Sequence, residues 1–294
     1  MVKLRGCGTA LVTPFLADGS IDEKSLRSLV AWQIDSGIDF LVPCGTTGET
    51  PTLSHDEWRK VIETTIEVAA GRVPIVAGAT SNCTAEAVQK AAEVSRIKGV
   101  DAILSASPYY NKPTQEGQYQ HFQAVAEASA APVVLYNVPG RTGVNLLPET
   151  LCRLAKLPNI AAVKEASGVI GQIAGICALI PGFTVLSGDD ALILPVIAVG
   201  GVGVISVASN AFPREMAELT RLALDNQWQA SRKLYQKYLA LMQANFIESN
   251  PIPVKAVLAM MGRIEENYRL PMVKMQPSLR AKLEAIARAA GVVQ

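Results

Sequence analysis

Histidine is nearly missing from this 294-residue chain, which holds only His55 and His121. That is too few for a multi-histidine metal centre and a thin supply for imidazole chemistry, so any catalysis rests on lysine, tyrosine, serine, threonine or carboxylates. An excess of charge of either sign is missing too. With 27 Lys+Arg against 26 Asp+Glu the net charge is +1, which leaves no broad positive field for a nucleic acid. Cysteine is sparse: Cys7, Cys44, Cys83, Cys152 and Cys177 are odd in number and never form a CxxC pair. No zinc site and no disulfide framework fits that pattern, and a reducing cytoplasm is the expected compartment. No signal peptide is read in MVKLRGCGTALVTPF, where the polar loop LADGSIDE follows a short apolar run. Charged residues make up only 18% of the chain and apolar ones 49%, which excludes intrinsic disorder.

One long uncharged run, Ala191 to Pro213, reaches the roughly 20 residues needed to cross a bilayer. Pro195, the Gly200-Gly201 pair, Ser206, Ser209 and Asn210 interrupt it, so a buried helix, a glycine turn and a buried strand are expected and no membrane partner. Elsewhere short β-rich apolar runs alternate with helical patterns. The expected strands are CGTALVTP from Cys7, FLVPCG from Phe40, PIVAGA from Pro74, AILSAS from Ala102, PVVLYNV from Pro132, IAAVKEA from Ile160, FTVLSGD from Phe183 and GVISVAS from Gly203. Between them, DEKSLRSLVAWQIDSG, SHDEWRKVIETTIEVAAG and TAEAVQKAAEVSRIKG each open on a Ser, Thr or Asp cap and close on Gly. Strands apolar on both faces, each followed by a helix, predict a parallel sheet covered by helices. An open doubly wound sheet shares this alternation, but eight βα units ending near Asp225 match the size of a (β/α)8 TIM barrel. The expected organisation is a catalytic barrel over residues 1–225 and a C-terminal helical extension over 226–294.

Barrel enzymes build their sites at the C-terminal ends of the strands. The sixth expected strand ends IAAVKEAS, placing Lys164 inside an apolar wall with Glu165 on the opposite face. Loss of hydration lowers the pKa of such a lysine and supplies free amine for attack on a ketone. A lysine that ion-pairs with a neighbour, or lies at an exposed strand edge, fits the same spacing. After the second strand, Gly45, Thr46, Thr47 and Gly48 form a small-residue turn whose amides and hydroxyls suit a carboxylate or phosphate; a plain strand-to-helix turn reads the same way. The fifth strand ends LYNVPGRTG, with Tyr136 near its end and Arg141 after a Pro-Gly turn. A phenol there can relay protons and a guanidinium can grip a carboxylate, although Tyr136 by itself also fits a core aromatic.

Taken together, GTTGE at Gly45–Glu49, SPYYNKPTQEG at Ser107–Gly117, YNVPGRTG at Tyr136–Gly143, VKEASG at Val163–Gly168 and SGDD at Ser187–Asp190 resemble the pyruvate-dependent class I aldolases of the dihydrodipicolinate synthase and N-acetylneuraminate lyase superfamily. The resemblance spans essentially the whole chain and is strongest to members that condense pyruvate with L-aspartate 4-semialdehyde in lysine and diaminopimelate biosynthesis. It implies that Lys164 is the Schiff-base nucleophile and Tyr136 the proton relay, with Thr47 as its hydroxyl partner. Thr46 and adjacent amides would hold the pyruvate carboxylate, and Ile205 would line the pyruvate pocket. Tyr110 would complete the relay of a neighbouring subunit, Arg141 would bind the semialdehyde carboxylate, and the assembly would be a tetramer made of two tight dimers. No metal or organic cofactor is implied; the covalent intermediate is an imine between pyruvate and Lys164. Related lyases acting on sialic acid usually lack an arginine in this turn, which makes Arg141 the discriminating residue.

The resemblance also implies an allosteric lysine site at His55, Asn82, Glu86 and Tyr109, with Thr50 and Pro51 supplying backbone. Glu86 reads equally as a first-turn acid of a helix opened by Thr84. Trp58 stands where some lysine-sensitive relatives carry a second histidine. Two other readings remain at this point: an aldolase or dehydratase for sugar-derived 2-keto acids, and a catalytically dead binding or scaffold protein. Cys44, beside the GTTGE turn, is read as packing.

Overall fold

A computed structural model describes residues 4–294; the first three residues of the stretch read for a signal peptide lie outside the described residues. Among the described residues eight strands run in chain order: β1 (Gly6–Ala10), β2 (Phe40–Val42), β3 (Val76–Gly78), β4 (Ala102–Ala106), β5 (Val133–Asn137), β6 (Ile160–Glu165), β7 (Thr184–Ser187) and β8 (Gly203–Ser206). Their order in the sheet is β2-β1-β8-β7-β6-β5-β4-β3, and the registered pairs are parallel. Sequential parallel neighbours joined by helices are the wiring of a (β/α)8 barrel. Every residue of β1, β4, β5 and β8 is buried, which explains why these strands read as continuous apolar runs rather than alternating ones.

The chain divides into two compact units. The first joins the residues before Cys7 to Pro74–Ile205. Here the Gly6 amide donates to the Val202 carbonyl at 3.0 Å, bringing the start of β1 beside β8. Gly203, at φ 153°, has no room for a side chain, because a Cβ there would overlap the Gly6 backbone. Ile103, Leu135, Val163 and Val185 are fully buried in this unit.

The second unit joins Cys7–Val73 to Ser206–Gln294. Its polar core tie is Asn210, whose Nδ2 donates to the Ala10 carbonyl at 2.7 Å while its Oδ1 accepts from the Val12 amide at 3.1 Å. The helices expected after Asp225 are present as Trp228–Ala244, Ile252–Met260 and Pro277–Ala289. The uncharged run beginning at Ala191 folds as a short helix, Ile193–Ala198, then the glycine pair, then β8. Among the described residues no helix is long and apolar enough to cross a membrane.

Caps follow the sequence in part. Asp22 caps helix Glu23–Asp35 through the Ser25 amide, and Ser54 with Glu57 forms a reciprocal capping box on helix His55–Ala69. That helix closes on Ala70 at φ 49°, one residue before the expected Gly71. The third helix departs further. It runs Thr84–Val94 with Cys83 at the cap and no side-chain capping bond. The Thr84 hydroxyl is engaged 2.9 Å from His121 Nδ1 instead, and Ser95 ends the helix well before Gly99.

Candidate active site

Side-chain alternation along parallel strands sorts the first unit's polar residues onto two faces. Tyr136 on β5 is the register partner of Lys164 on β6, and Asn137 is the partner of Glu165. On one face, Lys164 Nζ lies 4.3 Å from the centre of the Tyr136 ring. On the other, Asn137 Nδ2 donates to Glu165 Oε2 at 2.9 Å. Glu165 therefore points away from Lys164, as the alternation predicts.

Lys164 is only 4% exposed. Burial draws its pKa down to about 8; Asp190 opposes the shift and Arg141 adds to it. The cause is the one expected from the sequence, since a desolvated ammonium is disfavoured against the free amine. At pH 7 about a tenth of such a lysine is neutral, against a vanishing fraction for an exposed one. Tyr136 behaves oppositely. Burial pushes its phenol up to about 12, with Arg141 pulling down and Asp189 pushing up. A phenol that keeps its proton beside an amine that gives one up is suited to passing a proton to an oxygen leaving the carbon the amine attacks.

The turn after β7 carries the rest of the SGDD pattern, Gly188, Asp189 and Asp190. A Cβ on Gly188 would lie 2.6 Å from Ala166 Cβ and 3.2 Å from Lys164 Cγ and Cε. Glycine is thus imposed chiefly by Ala166, and it also leaves the lysine stem its room. Asp189 caps the following turn through the Ala191 amide at 2.8 Å, and burial raises its own pKa. Asp190 is buried and is the carboxylate whose field reaches Lys164. Two acids directly after an apolar strand were the available signal.

Arg141 lies in the short helical turn Pro139–Thr142 and is exposed. Gly143 follows at φ 74°, with the Lys112 stem packed against it. Tyr109 and Tyr110 sit on the loop after β4, 39% and 88% exposed, Tyr110 at φ 71°. Asn82 Nδ2 donates to the Tyr109 carbonyl at 3.2 Å, and Asn111 Nδ2 returns a bond to the Asn82 carbonyl at 2.9 Å. Glu86 is exposed and accepts from the Ser81 hydroxyl at 2.7 Å. Ile205 on β8 is buried.

In the second unit, the small-residue turn of GTTGE is present as a short 3-10 turn, Thr46–Gly48, and a second such turn, Thr50–Thr52, follows it across Glu49 with φ 52°. Thr47 is buried and its Oγ1 accepts from Asn250 Nδ2 at 3.0 Å, so its own proton is directed elsewhere. Thr46 is half-buried. Glu49 is buried against Lys255 at 2.6 Å, and Lys255 Nζ also donates to the Thr13 carbonyl at 3.1 Å. Arg269 adds bonds to the Thr52 carbonyl at 2.8 Å and to Glu57 Oε2 at 2.7 Å. The C-terminal region thus fixes the GTTGE loop, a coupling no local pattern announced. Thr50 is half-buried, while Pro51 and His55 are exposed. The His55 ring centre is 5.8 Å from that of buried Trp58. Cys44 is buried and its thiol pKa is pushed far up by that burial, which fits packing and not a reactive thiolate. No cluster of three or more His, Cys, Asp or Glu suited to a metal occurs among the described residues.

The model of the dihydrodipicolinate synthetase family matches residues 3–290. A 4-hydroxy-tetrahydrodipicolinate synthase of Koribacter versatilis is 72% identical over 294 residues, covering 100% of this chain and 98% of the relative. Among solved structures, the chloride-inhibited dihydrodipicolinate synthase of Acinetobacter baumannii in complex with pyruvate superposes with a TM-score of 0.96 at 43% identity, covering 99% of this chain and 100% of that one. The enzyme of Cyanidioschyzon merolae with lysine bound superposes with a TM-score of 0.94 at 39% identity, covering 98% and 99%. These likenesses extend over the eight strands and the C-terminal helices together.

Proposed function

The chain belongs to the dihydrodipicolinate synthetase family, and from that premise we propose that it is a lyase condensing pyruvate with L-aspartate 4-semialdehyde to 4-hydroxy-tetrahydrodipicolinate, a step of lysine and diaminopimelate biosynthesis. The observation that carries this reading is a buried lysine, its pKa drawn down to about 8, set against a phenol that keeps its proton.

In the proposed mechanism the neutral amine of Lys164 attacks the keto carbon of pyruvate. Tyr136 protonates the departing oxygen, water leaves, and an iminium remains. The positive nitrogen then accepts the electrons of a methyl C–H bond as its proton is lost, giving an enamine. The enamine carbon attacks the aldehyde, and a proton returned through Tyr136 quenches the new alkoxide. The substrate's amino group finally displaces Lys164 and closes the six-membered ring. The enzyme is covalently modified between the two substrates, so the kinetics are ping-pong and no added cofactor enters.

The remaining roles follow the same reading. Thr47 passes protons with Tyr136; the Thr46 hydroxyl and neighbouring amides hold the pyruvate carboxylate; Ile205 lines the pyruvate; Arg141 holds the semialdehyde carboxylate. Tyr110, 88% exposed, is available to a neighbouring subunit, which supports a tetramer of two dimers. Residues 1–225 are read as the catalytic barrel and 226–294 as a helical extension, acting in the cytoplasm. Lysine as end product acts at His55, Thr50, Pro51, Asn82, Glu86 and Tyr109, a reading supported by the lysine-bound relative.

A coupled assay with pyruvate and aspartate semialdehyde, repeated with added L-lysine, tests both proposals. Turnover of this pair above that of sugar-derived aldehydes is expected, as is a falling rate with lysine. Preference for sugar aldehydes would overturn the substrate assignment, and a flat lysine curve to millimolar concentration would remove the regulatory one.

A further inference from the structure

Asn137 stands in the YNVPGRTG block beside Tyr136, yet the chemistry above gives it nothing to do. It is fully buried, as is Glu165, and both face away from the Lys164 side of the sheet. A buried polar pair on the far face of the strands needs a reason, because a polar group left unsatisfied there is costly.

The bonds supply one. Asn137 Nδ2 donates to Asn145 Oδ1 at 2.8 Å as well as to Glu165 Oε2 at 2.9 Å. Its Oδ1 accepts from the Leu146 amide at 2.9 Å. The chain leaves β5 at Asn137, makes the turn carrying Arg141, and returns at Asn145 and Leu146 to the side chain of the residue it left. Asn137 therefore closes both feet of the Arg141 loop. Glu165 sets which way the amide faces: a carboxylate that only accepts must meet Nδ2, which leaves Oδ1 for Leu146. Glu165 is itself held by the Ser167 amide at 2.6 Å. Asn145 is held on its far side by Gln172 Oε1 at 2.8 Å.

We propose that Asn137, oriented by Glu165, is a positioning residue that sets the Arg141 loop and so acts on the second, carboxylate-bearing aldehyde substrate rather than on pyruvate. This rests on the assignment of Arg141 to that substrate's carboxylate. A loop whose feet are released places its guanidinium in many positions, and misplacement of about 1 Å can cost on the order of a hundredfold. The amine on the other face keeps its burial, the largest influence on it, and loses only part of the smaller influence of Arg141.

Steady-state kinetics of Asn137→Ala, of the milder Asn145→Ala, and of Arg141→Ala, each with borohydride trapping of pyruvate, test the proposal. Asn145 is half-buried and its truncation leaves both strands intact, so it serves if Asn137→Ala does not fold. The expected result is a rise on the order of ten- to a hundredfold in the KM for the semialdehyde, with the KM for pyruvate and the trapped adduct near wild type. Glu165→Gln should show the same split in weaker form, since one amide oxygen remains to accept. Equal losses for both substrates, or none, in the foldable variants overturn the proposal. If Arg141→Ala shows the split and the Asn variants do not, positioning fails while the role of Arg141 stands; if Arg141→Ala shows none, the role of Arg141 has failed.

Discussion

Lys164 and Tyr136 are directly opposed on neighbouring parallel strands, and the lysine nitrogen lies 4.3 Å from the centre of the tyrosine ring. Both are almost wholly buried, and burial drives their pKa values apart, the lysine down to about 8 and the tyrosine up to about 12. Each is thereby neutral over a shared range of pH. The neutral amine fraction grows as pH rises through about 8, so kcat/KM for pyruvate should climb by about tenfold per pH unit below that value and level above it. A pH–rate profile checks this. A profile already flat from pH 6 would contradict a lysine with this environment.

Gly188 gives a second expectation. An added methyl meets Ala166 and the Lys164 stem at 2.6 and 3.2 Å, so Gly188→Ala must shift one of them. Overpacking of this kind costs about 1–3 kcal/mol of stability, and displacement of the nucleophile should lower kcat by on the order of tenfold or more. Thermal denaturation and steady-state rates read the two effects separately. Wild-type kcat would show that the stem has slack.

The Glu49–Lys255 pair, 2.6 Å apart and shielded from solvent, should make single truncations costly. Lys255→Met leaves a buried carboxylate and Glu49→Gln a buried ammonium, whose lysine pKa burial already lowers. Either change should destabilise by about 3–5 kcal/mol, with much of that recovered in the double variant. Denaturant midpoints of the four proteins close the cycle.

His121 makes stability depend on acid. Its pKa is drawn down to about 4 by burial, and its Nε2 is buried without a hydrogen-bond partner. Above the ordinary value of 6.5 the ring is neutral folded or unfolded, and its full contribution is present. As pH falls from 6.5 toward 4 the unfolded chain takes up the proton first, so stability drops across that window and levels below it. Denaturation midpoints at several pH values should fall more steeply for the wild type than for His121→Phe.

The alternation of strand and helix is plain in the sequence because the strand runs are almost wholly buried, while helices such as His55–Ala69 bury one side only. The opposed faces of Lys164 and Glu165 followed from the two-residue period of a strand. The third helix departs from its pattern at both ends: Thr84 has a better partner in His121 than in its own backbone, and tertiary bonding outweighs capping preference. The ties Asn250–Thr47 and Lys255–Glu49 join residues more than two hundred positions apart, which no local pattern encodes. Asn137 is hidden for the opposite reason. It sits between a tyrosine and an arginine with evident chemistry, and its own task appears only when the chain is seen to return to it.

The central claim is that Lys164 forms an imine with pyruvate, and reduction tests it most directly. Treatment with borohydride in the presence of pyruvate, followed by proteolysis and mass spectrometry, should yield one reduced adduct per subunit, located on the peptide containing Lys164. An unmodified Lys164 peptide, with the adduct absent or on another lysine, would contradict the account.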